Sequence, residues 1–231
     1  RVICRSGDPL DLDDLAVVDP HGARSIIVLA PEDENPDIHV IKSVLAITNN
    51  PARKSGRYHI VGEIRDDKNL EAAALVGGDE AIFVQGEDLI ARVTAQTCRQ
   101  SGLSVVYTEL LDFDGAEIYF KHEPGLVGKT YREALGGFDE SALIGLMRAG
   151  REVLVNPPMD TVIGPGDQII AISEDDDTIR MDLAARAPQP DLIQQPRERT
   201  AVTERILILG WNDKAVAIVR ELAARTRDVA P

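Results

Sequence analysis

Short apolar runs alternate with helix-patterned stretches through the first hundred residues, and that rhythm leaves few folds open. Ser25–Ala30 (SIIVLA), Tyr58–Ile64 (YHIVGEI) and Ala81–Val84 are the apolar runs, each bounded by polar turns. Between them lie helical patterns. One covers Ile38 to Thr48, with Val40, Ile41, Val44, Leu45 and Thr48 on one face. Asn69–Val76 is a second, closed by Gly77–Gly78, and Asp88–Gln100 a third. Strands alternating with helices at this spacing predict β-α units on a parallel sheet. A continuous run such as SIIVLA predicts a strand buried on both faces. Ahead of it, Val2–Cys4 reads as a strand remnant, and an SGDP turn leads into a helical stretch from Leu10 to Val18.

Past the Ser101–Gly102 break the pattern continues as a second helix, Leu103 to Leu111, and then changes. Ala116–Lys121 alternates like an antiparallel strand, and Lys129–Leu135 makes a short helix. Leu143–Met147 and Val153–Asn156 read as a hairpin across RAGRE, and Asp160–Ile163 and Gln168–Ser173 as strands around a GPGD turn. Glu174 to about Thr203 is polar, Pro-containing and aperiodic, which predicts a linker. ERILILGWNDKAVAIVRELAAR then opens a new β-α unit. The expected fold class is therefore α/β: a truncated Rossmann-like parallel sheet, a small α+β C-terminal subdomain, and the start of a second Rossmann-like unit. Its divisions are 1–102, a crossover or hinge at 103–115, the subdomain at 116–176, a linker at 177–203, and the second unit at 204–231.

Charge and chemistry narrow the function. The net charge of −14 argues against nucleic acid and against anionic lipid, both of which favour Lys/Arg-rich surfaces. No apolar run approaches the ~20 residues that span a bilayer. Cys4 and Cys98 lie in apolar, patterned segments, which predicts buried reduced thiols and a cytosolic compartment. None of the four histidines, His21, His39, His59 and His122, has a Cys or carboxylate at zinc-ligand spacing. There is no G-x-S-x-G turn and no P-loop, so the expectation is a protein that is not an enzyme. The opening RVICRSGDPLD starts inside a strand-like segment without Met, as a piece of a larger protein would.

The wording of several segments carries a resemblance. SGDPLDLDDLAVV, GARSIIVLA, EDENPDIHVIKSVLAI and HIVGEIRDDKNLEAAALVGGDEAIFV are similar to the second half of a regulator-of-potassium-conductance (RCK) domain. LVGKTYREALGGF, ALIGLMRAG and DTVIGPGDQIIAISEDD look like the small subdomain that follows it. VICRSG, CRQSGL and the renewed ILILGW strand resemble the Castor and Pollux type of ion channel. Such domains, the resemblance implies, form a homo-oligomeric gating ring on the cytoplasmic side of the cell membrane. They pair as dimers through a helical crossover and couple ligand binding to a transmembrane pore domain of the same protein. Two other readings compete: a soluble regulatory subunit of a Trk-type potassium transport system or the cytosolic domain of another ion transporter, and a fragment of a Rossmann-type NAD-dependent oxidoreductase.

The family match makes Val2–Cys4 the third strand and Ser25–Ala30 the fourth. In the usual 3-2-1-4-5-6 order, strands one and two belong between them, together with the glycine-rich turn that holds a dinucleotide. Nucleotide is therefore not expected in the usual site of the first domain. Arg205–Leu209, a first-strand segment, is a candidate to fill the vacant slot.

Candidate sites follow from chemistry. Glu32, Asp33, Glu34 and Asp37 stand after the fourth strand, where ligands bind in such sheets, and their oxygens suit Ca²⁺. Family regulation by Ca²⁺ at acidic ring sites favours that reading. A solvated loop, with Asp37 placed to favour a helix dipole, is the alternative. Glu174–Asp175–Asp176–Asp177 reads first as a solubilising linker end, with metal binding as the alternative. In Gly210-Trp211-Asn212-Asp213-Lys214-Ala215, Asn212 and Ala215 stand where later fingerprint glycines would be, so Gly210 and Asn212 make only a weak nucleotide site. Trp211 reads as a packing or interface residue. The crossover carries Leu89, Ile90, Val93, Thr94, Val105, Val106, Leu110 and Leu111, more apolar surface than one sheet needs, which predicts an interface, with an ordinary covering helix pair as the alternative.

Overall fold

The structure is a computed structural model and describes residues 2–182 and 205–227. The chain divides into two compact units, Arg1–Ala95 with Leu207–Pro231, and Gln96–Ile206.

In the first unit the elements run α1 (Leu12–Val18), β1 (Ile26–Val28), α2 (Pro36–Thr48), β2 (Ile60–Glu63), α3 (Leu70–Gly77) and β3 (Ala81–Val84), and α4 (Gly86–Arg99) starts there and ends past the division at Ala95. α1 starts later than its apolar pattern because Asp11 caps it, accepting from the amides of Asp13 and Asp14. The three strands are all parallel in the order β1-β2-β3, with Ile26 beside Ile60 and Ile60 beside Ala81. Val40, Val44 and Ile47 of α2 and Ala73 of α3 are buried with Ile60 and Ile64. At Gly62 a Cβ would stand 2.8 Å from the Phe83 ring, so only glycine lets that ring close over β2.

Two strand expectations need correction. β1 is covered on one face only: Ile26 and Val28 point toward the core, whereas Ile27 and Leu29 are 71% and 73% exposed. Period-2 geometry puts both helices' contacts on the same set of residues, leaving alternate positions bare. Val2–Cys4 forms no strand and is exposed. Extended backbone becomes a strand only beside a hydrogen-bonding neighbour, and none of the described strands lies next to it.

The second unit holds α5 (Leu103–Leu111), β4 (Glu117–Lys121), α6 (Tyr131–Leu135), β5 (Ala142–Met147), β6 (Val153–Val155) and β7 (Gln168–Ser173). Its strands pair antiparallel in the order β4-β7-β5-β6. α6 opens with a reciprocal cap: Glu133 accepts from the Thr130 amide, and Thr130 accepts from the Glu133 amide. Leu126, Tyr131, Leu146, Ile163, Ile169 and Ile179 form the core. The strand expected at Asp160–Ile163 is reduced to a single bridge between Thr130 and Val162. The unit also runs past its expected end at residue 176. Ile179 is fully buried, and Phe138 bridges to Met181. The polar run that suggested a linker is a cap there. Asp175 accepts from the Asp176 amide and Thr178 returns a bond, closing a short 3-10 turn over Asp176–Thr178.

α7 (Lys214–Arg227) belongs to the first unit. The proposed strand filler is not formed: residues 205–209 make no ladder, and Leu207 and Leu209 are exposed. The helix of the expected second β-α unit is present and its strand is not. Residues 183–204 and 228–231, which hold most of the expected linker and the unit's end, lie outside the described residues.

Candidate functional site

The acidic edge of the sheet is built around Asp37, near the N-terminus of α2 behind Pro36. Its carboxylate, 3% exposed, accepts from the Arg65 amide at 2.9 Å, the Asp66 amide at 2.9 Å and Asn69 Nδ2 at 2.8 Å. Burial opposes its charge, yet those three donors and the nearby Arg65 guanidinium hold its pKa below the ordinary aspartate value. Beside it the Ala30 amide donates to Glu63 Oε2 at 3.2 Å, and Arg65 Nη2 donates to the Ala30 carbonyl at 3.3 Å. The carboxyl ends of β1 and β2 are thus laced together.

The four carboxylates expected to act together are separated by this arrangement. Asp37 is turned inward and its oxygens are occupied. Asp33 accepts from the Asn35 amide and pairs with His39 at 3.1 Å. Glu32 and Glu34 stay in the exposed loop. Among the described residues no group of three or more His, Cys, Asp or Glu is placed to hold a metal ion. Arg65, Asp66, Asn69 and Glu63 were not singled out in the sequence. Pro36–Asp37 marks a carboxylate at a helix start, but the Arg65 and Asp66 amides that it accepts from lie 28 and 29 residues away, and no local signal points to them.

A second polar centre lies in the other unit, on the GPGD turn. Asp167, buried, accepts from Arg148 Nη1 at 2.6 Å, the Gly164 amide at 2.8 Å and the Ala149 amide at 3.1 Å. Burial works against ionisation there too, but the Gly164 amide, Arg148 and the Ala149 amide outweigh it and keep the pKa low. Gly166, at φ +88°, turns the chain so that the carboxylate faces back into this nest. Arg148 also donates to the Val162 carbonyl at 2.9 Å, joining the β5–β6 hairpin to the turn before β7. This centre holds structure together.

At the second glycine turn Gly210 adopts φ +88°. Asn212 Oδ1 accepts from the Lys214 amide at 3.1 Å, so this side chain serves the start of α7. Trp211 is exposed. In the acidic run, Asp175 caps its turn, while Ser173, Thr178 and Ser141 form a hydroxyl chain beneath it.

The two crossover helices carry apolar residues that nothing in their own unit covers. In α4, Leu89 and Ile90 are exposed. In α5 no residue is buried, although the helix reads LSVVYTELL; Val105, Val106 and Leu111 face solvent, and Phe113 just beyond is 91% exposed. Cys98 and Cys4 are exposed as well, which corrects the buried thiols expected from their apolar neighbours. Local apolarity there marks uncovered surface, not core.

Comparison with known proteins places these observations. Residues 87–188 match the family described as Castor and Pollux, part of voltage-gated ion channel. The chain is 36% identical over 218 residues to the probable ion channel CASTOR of Oryza sativa subsp. japonica, covering 91% of this chain and 24% of that protein. It is 37% identical over 218 residues to the ion channel CASTOR of Lotus japonicus, covering 91% of this chain and 25% of that one. The chain therefore spans about a quarter of the length of these relatives. Among solved structures, the human SLO3 gating ring superposes with a TM-score of 0.60 at 18% identity, over 76% of this chain and 37% of that one. The last likeness concerns the fold, and it agrees with a Rossmann-like parallel sheet followed by a small α+β unit.

Proposed function

This chain carries a Castor and Pollux domain and is homologous to ion channels of that family, and from that premise we propose that it is a ligand-sensing regulatory module of a cation channel. Copies of it assemble into a gating ring on the cytoplasmic side of the membrane and couple ligand binding to opening of a pore domain of the same protein. Such a device works by binding its ligand more tightly in one ring conformation than in another, with no bond made or broken. The reading as a protein that is not an enzyme rests on that mechanism.

The observation that carries the proposal is α5, a nine-residue apolar helix without one buried residue. A monomer gains nothing by displaying Val105, Val106, Leu111 and Phe113 to water. A second copy that covers them, through the crossover, accounts for that exposure. Among the described residues no helix is long and apolar enough to cross a membrane, so a pore would come from another part of the protein.

For the sensed ligand, the Ca²⁺ reading narrows to Glu32, Asp33 and Glu34, because Asp37 is already saturated by donors. Calorimetry and light scattering on the 231-residue chain, with and without Ca²⁺, test both parts. Heat of binding that disappears in a Glu32→Gln/Glu34→Gln variant supports the loop as the sensor, and its absence removes Ca²⁺ from the proposal. A monomeric mass at every concentration would remove the ring.

A further inference from the structure

α4 presents a docking face for another helix, and α7 of the same chain occupies it. Glu87, in the first turn of α4, forms an ion pair with Lys214, the first residue of α7. Further along, Arg92 meets Glu221 at 3.4 Å and is itself steadied by Asp88 at 2.6 Å. Helical spacing puts Glu87, Ala91 and Ala95 on one stripe of α4, with Asp88 and Arg92 beside it. Ala91 and Ala95 are fully buried. On α7 the matching stripe is Lys214, Ala215, Ile218, Glu221 and Leu222, with Ala215 buried.

The charges encode direction as well as contact. Both N-terminal ends lie together, so the helices run in the same sense. Turning α7 around would set Glu221 near Glu87 and Lys214 near Arg92, like against like. Repulsion of that kind excludes a competing orientation more effectively than the attraction stabilises the right one. Each ion pair is solvent-accessible and individually weak, so the contact is sensitive to salt.

We propose that the α4 face is a charge-registered docking site for a parallel helix, taken in cis by α7 and able to open. It would act as a clasp. α7 is held on the helix that leads through the Gly102 turn into α5, and its release frees Glu87 and Arg92. Opening and closing by local charge gives the module a second, slower state without unfolding its sheet.

Hydrogen exchange read by mass spectrometry on the 231-residue chain tests this. Lys214→Glu favours an isolated α7, because an acid at a helix N-terminus suits the dipole. Docking predicts the opposite: exchange in 214–224 rises by roughly threefold or more as the introduced carboxylate meets that of Glu87. Glu87→Lys alone has the same effect, and combining Glu87→Lys with Lys214→Glu returns exchange toward the original level. Raising NaCl from about 50 to 500 mM speeds exchange in the unaltered chain. Single variants without effect, or a double variant as exposed as the singles, would overturn the clasp. Exchange that slows with protein concentration, alongside a dimeric mass by light scattering, would show the helix docked on a second copy and overturn the cis assignment.

Discussion

Asn69 donates through Nδ2 to Asp37 Oδ2 at 2.8 Å, so the residue just ahead of α3 is tied to the first turn of α2. Both ends of that bond sit at the carboxyl edge of the sheet, where the Arg65 and Asp66 amides share the same carboxylate. Asp37→Asn replaces one acceptor oxygen by an NH₂ group that faces donors. We expect it to destabilise the chain by about 2 kcal/mol, within the range for a buried polar group left unpaired. Urea unfolding with an unchanged m-value checks this. Asn69→Ala, which removes one donor of three, should cost about 1 kcal/mol.

Acid should loosen both units for the same reason. Asp37 and Asp167 have folded-state pKa values below the ordinary aspartate value. Unfolding therefore takes up protons, so their contribution is fully present above about pH 4 and is lost as pH falls through the lowered folded values. Thermal melts should be nearly flat with respect to these groups between about pH 6 and 7 and decline below about pH 4. An Asp167→Asn variant should show a shallower acid limb along with lower stability at neutral pH. An acid limb identical to that of the unaltered chain would contradict the assignment.

Gly62→Ala places a methyl 2.8 Å from the Phe83 ring and 3.1 Å from Val40 Cγ1. Neither neighbour can retreat freely, since Phe83 packs against both core clusters and Val40 is fully buried. The expected penalty is about 1–3 kcal/mol, measured by chemical unfolding. Gly56→Ala, with open space around it, is the matched control and should change stability by less than about 0.5 kcal/mol.

Leu111→Asp puts a charge on an exposed apolar position of α5. Folding stability should fall by no more than about 1 kcal/mol, because the side chain is exposed and the main cost is an acid at the C-terminal end of α5. Self-association should weaken by at least tenfold in dissociation constant, about 1.4 kcal/mol, by analytical ultracentrifugation. A large loss of stability with no change in association would place Leu111 in a core and remove the interface.

Much of this was legible beforehand. The parallel sheet followed from apolar runs at Ser25–Ala30, Tyr58–Ile64 and Ala81–Val84, and α5 and β7 have the bounds that their patterns predict. Periodicity reports which residues need cover, so it finds elements well. It does not report what supplies the cover. Ile27 and Leu29 read as core, and so did Cys98, yet all three face solvent because the helices that were present packed on other residues. The acidic residues show the same division. Glu32, Asp33, Glu34 and Asp37 look alike in a string, and only the position of Asp37 under the Arg65–Asn69 segment turns one of them from a candidate ligand into a buried fastening.

The amino-acid order alone determined the alternation of strands and helices, the switch to a small antiparallel unit after Leu111, the likeness to Castor and Pollux channels, and the glycine stop that closes α3. Each of these depends on near neighbours in the chain, through backbone propensity, side-chain period and turn chemistry. Tertiary structure decided which sheet face is bare, that Val2–Cys4 and residues 205–209 form no strand, that Asp37 is satisfied internally, and that α7 lies against α4. Those outcomes depend on partners far away in sequence. A strand needs a neighbour to accept its hydrogen bonds, and a carboxylate can be identified only by the donors the fold brings to it.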